Sequence, residues 1–119
     1  MHIQGVIETF AALAEPNRFR IVELLRGGPR AVNDIGDRLR LNQTQVSKHL
    51  RVLRDVGLVG VQPRAQQRFY ELRAQPLREM QGWLERYRRV LEERFEELDE
   101  LVEELAKKEK SDDGNRKRK

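Results

Sequence analysis

The sequence predicts a mainly α-helical fold with a small β-hairpin and a long C-terminal helix, and three observations carry that expectation. Apolar residues recur at helical spacing from Ile3 to Val56, the period changes to two after Gly57, and a near-heptad spacing runs from Met80 to Leu105. With 119 residues, of which 38% are hydrophobic and 37% charged, the chain can build one small core with an appendage.

The first helix covers residues 3–13, with Ile3, Val6, Ile7, Phe10 and Leu13 on one face. Pro16 suits the first turn of a second helix, where its missing N–H is no loss. That helix carries Phe19, Ile21, Val22, Leu24 and Leu25 and stops at Gly27-Gly28-Pro29. A third covers 33–40, with Ile35 and Leu39 inward. After a break at Leu41-Asn42, a fourth runs from Gln43 to Val56 and ends at Gly57. Asn42 is a good N-cap there, and Gln45 stands where a capping-box partner belongs.

Residues 58–64 and 68–73 then read as two strands, with Val59/Val61 and Tyr70/Leu72 as inward pairs. Pro63 limits the first near its end. The connection lacks Asn-Gly or Asp-Gly, so a longer polar loop is expected. Residues 1–75 form the globular part. From Pro76 to Lys110 one helix carries Met80, Leu84, Tyr87, Leu91, Phe95, Leu98, Val102 and Leu105 at spacings of 4, 3, 4, 4, 3, 4 and 3. A core this small cannot bury that seam, so a second copy of the chain is expected to cover it. Residues 111–119, "SDDGNRKRK", have nothing to bury and read as disordered.

Charge is unevenly spread. Residues 1–91 hold 16 Lys/Arg against 9 Asp/Glu, whereas residues 92–110 hold 4 against 9. The basic part suits a polyanion. The absence of cysteine removes disulfides, thiolate metal sites and cysteine nucleophiles. No run of about 18 apolar residues exists to span a membrane. The N-terminus shows no secretory pattern, so a cytoplasmic location is expected. Gly27-Gly28-Pro29 is a helix stop rather than a phosphate loop, since no Lys-Ser/Thr pair follows. Glu92, Glu93, Glu96 and Glu97, with Arg88, Arg89 and Arg94 nearby, form a solvated ion-pairing face rather than a catalytic set. Trp83 and Tyr87 read as core or interface in preference to a ligand cavity. No arrangement of residues here resembles an enzyme's.

Three helices, the last two joined by a tight break and followed by a hairpin, is the order of a winged helix-turn-helix. On the fourth helix Val46, Leu50 and Leu53 make the buried stripe. At about 100° per residue, Thr44, Lys48 and Arg51 then point away from it, flanked by Gln45. An amide, a hydroxyl and two cations on such a face are what a recognition helix offers a major groove.

The stretches "FAALAEPNRFRIVELL", "QVSKHLRVLRDVGLV" and "QQRFYEL" resemble the ArsR/SmtB family of winged-helix repressors over residues 6–75. The resemblance implies a homodimer in which the first and last helices pack together, bound to an inverted-repeat operator in double-stranded DNA. The matching DNA positions are Gln43, Thr44, Gln45, Ser47, Lys48 and His49, joined by Arg51 on the outward face and by Arg64, Gln66, Gln67 and Arg68 on the wing. The dimer set comprises Ile3, Val6 and Phe10 with Leu84, Tyr87, Leu91, Phe95, Leu98, Val102 and Leu105.

The chain departs from that family's pattern twice. Arg40 stands where the break usually has glycine, at a cost of the order of 1 kcal/mol if it is left-handed. The third helix, "AVNDIGDRL", has no cysteine and the last no histidine, which points to a member that does not sense metal and needs no cofactor. The alternatives are a metal- or small-molecule-responsive repressor of the same family, a winged-helix module for protein partners, and a coiled-coil scaffold.

Overall fold

A computed structural model describes residues 3–64 and 66–117. The elements are α1 (Ile3–Ala14), α2 (Pro16–Leu25), β1 (Arg30–Ala31), α3 (Val32–Leu39), α4 (Gln43–Asp55), β2 (Val59–Arg64), β3 (Gln67–Leu72) and α5 (Ala74–Lys117). Ala12, Ile21, Val22, Leu25, Ile35, Val46, Leu50, Leu53, Leu58, Val59 and Tyr70 form the core. Each helix from α1 to α4 contributes, as helical periodicity requires.

The small sheet has three strands rather than two. Its order is β1-β3-β2, all antiparallel, with Arg30 opposite Tyr70 and Ala31 opposite Phe69. A two-residue strand carries no periodicity of its own, so only its partner reveals it. Pairing of Val61 with Tyr70 and Gln62 with Phe69 fixes the register out to Arg64 opposite Gln67. That register leaves two residues at the wing tip instead of a longer loop. Ala65, one of the two, lies outside the described residues. β2 is an edge strand, where Pro63 takes no donor from the ladder.

Both helices of the helix-turn-helix close on left-handed residues. α4 closes with Leu58 N–H donating to Leu53 C=O at 3.0 Å and Gly57 N–H to Arg54 C=O at 2.9 Å. Gly57 supplies the positive φ of 80°, and the apolar contact that accompanies this closure falls to the buried Leu53 and Leu58. α3 closes similarly, with Leu41 N–H donating to Gly36 C=O at 3.0 Å. Here the left-handed residue is Arg40, at φ 57° and ψ 45°. It is the one non-glycine residue with positive φ among those described. Gly36 is pressed against the turn: a Cβ added to it would lie 2.8 Å from the Leu41 carbonyl oxygen.

The compact unit runs through Trp83 and a second begins at Leu84, eight residues past the boundary expected at 75. The first turns of α5 account for the difference, because the Phe10 and Trp83 rings meet edge to face at 5.5 Å. α5 also continues to Lys117 through residues expected to be disordered. Ser111–Lys117 holds no proline, and its one glycine costs only about 1 kcal/mol. Arg118 and Lys119 lie outside the described residues. Val6 is 2% exposed, so it belongs to the protomer's interior rather than to a dimer surface. Ile7, at 52%, is exposed instead, as are Ile3 and Phe10 at 57% and 39%.

Chemical denaturation should find Gly36→Ala destabilised by roughly 1–3 kcal/mol, the range for forcing an extra methyl into a closed contact. Arg40→Gly should gain up to about 1 kcal/mol by relieving the left-handed arginine. Equal stability of all three proteins would show that the turn is not set by this contact.

Candidate nucleic-acid interface

α4 is held from both ends of its polar head. Asn42 Oδ1 accepts from Gln45 N–H at 2.8 Å, and Gln45 Oε1 accepts from Asn42 N–H at 3.0 Å. This capping box satisfies two donors that the helix start would leave open. It also ties one lone pair of the Gln45 amide oxygen to the helix start, which turns its NH2 group outward as the main donor left to face a base. Val46, Leu50 and Leu53 are 0–1% exposed and fix the rotation of the helix.

That rotation leaves Gln43, Thr44, Ser47, Lys48 and Arg51 exposed. Among the described residues neither Lys48 nor Arg51 has a carboxylate within ion-pair distance. Arg30 and Arg38 are different. Both donate to Asp34, from Nη1 at 2.8 Å and Nε at 3.0 Å. These bonds hold the Asp34 carboxyl below the usual aspartate range.

The wing supplies the rest. Gln66, Gln67 and Arg68 line a hollow together with Ala31, Val32, Asn33 and Gln43, so the wing tip and the head of α4 share one surface. Arg64 stands over the Phe69 ring, 5.5 Å from its centroid, with Nη2 donating to Gln62 Oε1 at 3.2 Å. Asn33 carries no signal in the sequence; only the fold brings it beside Gln43.

His49 is not on this surface. Its side chain is 16% exposed, with Nδ1 buried 3.6 Å from Glu15 Oε2. Position 49 lies about 60° from Val46 around the helix, beside the buried stripe and away from the outward face. Glu15 is the N-cap of α2, where its Oε2 accepts from Arg18 N–H at 2.8 Å. Burial pulls the Glu15 carboxyl's pKa upward. The N–H groups of Arg18 and Asn17 and the charges of His49 and Arg18 more than offset this, and the carboxyl lies below its ordinary value.

The long helix shows a different surface. Leu84, Tyr87, Leu91, Phe95, Leu98, Val102 and Leu105 are between 47% and 61% exposed, and Val90 and Leu101 add to them. Arg88 is held between Glu85 at 3.2 Å and Glu92 at 3.0 Å. These bonds raise its pKa further above its already high value. Among the described residues no cluster of His, Cys, Asp and Glu could hold a metal, and no helix is long and apolar enough to cross a membrane.

A family model for a helix-turn-helix domain matches residues 13–62. The HTH-type transcriptional regulator NmtR of Mycobacterium tuberculosis is 46% identical over 54 residues, which is 45% of this chain and 45% of NmtR. The regulator Rv2034 of the same organism is 37% identical over 76 residues, covering 64% of this chain and 71% of Rv2034. Among solved structures, one similar chain is the homodimeric winged helix-turn-helix DNA-binding domain of Mb0332 from Mycobacterium bovis, a possible ArsR-family transcriptional regulator. It is 28% identical with a TM-score of 0.60, over 69% of this chain and 77% of that one.

Glu15→Gln keeps an acceptor at the α2 cap and removes the charge. A carboxyl with a lowered folded pKa stabilises above its unfolded value, about 4.3, and loses that contribution as pH falls through the folded one. Thermal denaturation should find Glu15→Gln less stable than the parent at neutral pH, with the gap closing in acid. A gap of the same size at both pH values would show that the Glu15 charge plays no part.

Proposed function

The chain belongs to the ArsR/SmtB family of winged-helix transcriptional regulators, and on that premise we propose that it is a homodimeric, sequence-specific repressor acting on an inverted-repeat operator. The observation that carries this reading is the exposed head of α4. A helix locked by a capping box and three buried aliphatics presents Gln43, Thr44, Lys48 and Arg51, next to a wing that ends in Arg64 and Arg68. Thr44, Lys48 and the free NH2 of Gln45 read base edges in the major groove. Arg64, Gln66, Gln67 and Arg68 meet phosphates or the adjoining minor groove.

The homodimer is supported by the dimeric state of the Mb0332 domain and by the uncovered seam from Leu84 to Leu105. Covering the half of such an aliphatic that stays open is worth about 1 kcal/mol, and the repeat of such positions along the helix drives it toward a second copy. Ile3, Ile7 and Phe10 form the corresponding stripe on α1. Regulation in this reading does not run through a transition metal: the chain has no cysteine, and His49 is turned onto Glu15.

With an operator selected from a random pool of duplexes, Thr44→Ala and Lys48→Ala should each weaken operator binding by roughly 1–3 kcal/mol while sparing random DNA. Arg64→Ala and Arg68→Ala should weaken all sequences alike and flatten the salt dependence. Equal loss on operator and random DNA for Thr44→Ala and Lys48→Ala would sink the base-reading assignment. In sedimentation, the double change Leu91→Glu and Leu98→Glu should convert dimers to monomers. Dimers of unchanged affinity would place the interface elsewhere.

A further inference from the structure

The flank of α4 that faces the wing continues beyond the residues just assigned. Ser47, Arg51 and Arg54 follow Gln43 at intervals of four, four and three, so all four lie along one side of the helix. Across from them, Arg68 and Tyr70 are two apart on β3 and share a face of the sheet. Gln43 and Arg68 meet in the hollow at the wing tip. Further along, Ser47, Arg51, Arg54, Asp55 and Tyr70 line a second open hollow of about 470 Å3.

The second hollow has the chemistry of an anion seat. Among the described residues, neither Arg51 nor Arg54 pairs with a carboxylate, although Asp55 lines the same space. Arg26, Arg30, Arg38 and Arg88 all do pair. Two guanidinium groups against one carboxylate leave a single net positive charge. Ser47 and Tyr70 add two neutral hydroxyl donors. Guanidinium forks match the oxygens of a phosphate. One net charge matches one phosphodiester, the repeating unit of a nucleic-acid strand.

We propose that this hollow seats a phosphate of the DNA backbone, so that one strand runs in the groove between α4 and the wing. Arg51, Arg54, Ser47 and the Tyr70 hydroxyl are its ligands. Free phosphate offers the same tetrahedral chemistry. A track shared with Gln43 and Arg68 favours the strand. The inference rests on the DNA-binding reading above and adds Arg54 and Tyr70 to it.

The test uses the full chain and a duplex of random sequence, with binding followed across a salt series. Arg54 is exposed, so Arg54→Ala leaves the core intact, and Tyr70→Phe keeps the buried ring. Arg54→Ala should weaken every duplex by the same factor, about tenfold, and lower the salt slope by about one. Tyr70→Phe should weaken binding by roughly two- to fivefold at an unchanged slope, since a neutral donor displaces no counterion. If Arg54→Ala keeps the parent affinity and slope while Arg68→Ala loses both, the seat is overturned and the DNA reading stands. A parent chain with no salt-dependent binding removes the DNA reading and the seat together. Inorganic phosphate is the second probe, followed through the arginine Nε–H signals in NMR. Shifts that Arg54→Ala abolishes, with duplex binding unchanged, would assign the hollow to free phosphate and overturn the backbone assignment.

Discussion

The close approach of Gly36 to the Leu41 carbonyl sets the geometry on which the exposed polar head of α4 depends. Any side chain at position 36 would meet that carbonyl, so only glycine lets the chain turn so tightly between α3 and α4. The turn is completed by a left-handed Arg40, a conformation that strains an arginine. The surrounding packing of Ile35, Leu39, Leu41 and Val46 holds it there. The strain is therefore borne by the core, and its product is the fixed angle at which α4 leaves the turn.

α4 divides its residues between three environments, and the division follows from its rotation. Val46, Leu50 and Leu53 face inward. His49 lies beside them, against Glu15. The remaining polar residues are split between capping and solvent. Asn42 and Gln45 satisfy the helix start, and what is left at the head projects outward. A helix anchored this firmly loses little conformational freedom on binding, which is the condition for base contacts to discriminate. The wing adds cations beside it without a compensating row of carboxylates.

α5 obeys a different rule. Its local sequence is sufficient for a helix, because i,i+4 pairs such as Arg88 with Glu92 support it and no proline interrupts it after Pro76. Its stability in isolation says nothing about what covers its apolar seam. Roughly half of the surface of Leu91, Leu98 and Leu105 stays open in the single chain. Supporting the helix and covering the seam are thus separate problems, solved by separate residues.

The sequence by itself determined the five helices, the strands β2 and β3, the buried stripe of α4, the Asn42–Gln45 capping box and the seam of α5, since each is encoded in the local pattern of one element. Pairing and orientation across elements were decided by tertiary structure. β1 exists only because β3 lies beside it. The wing loop is short because the β2–β3 register demands it. Val6 is buried and Ile7 exposed because α1 packs on one edge of its apolar face. His49 lies off the exposed head of α4 for a similar reason: its angle on the helix placed it near the core, and only the fold brought Glu15 there to meet it. Periodicity reports which face a residue occupies; what stands opposite that face is a property of the packed chain.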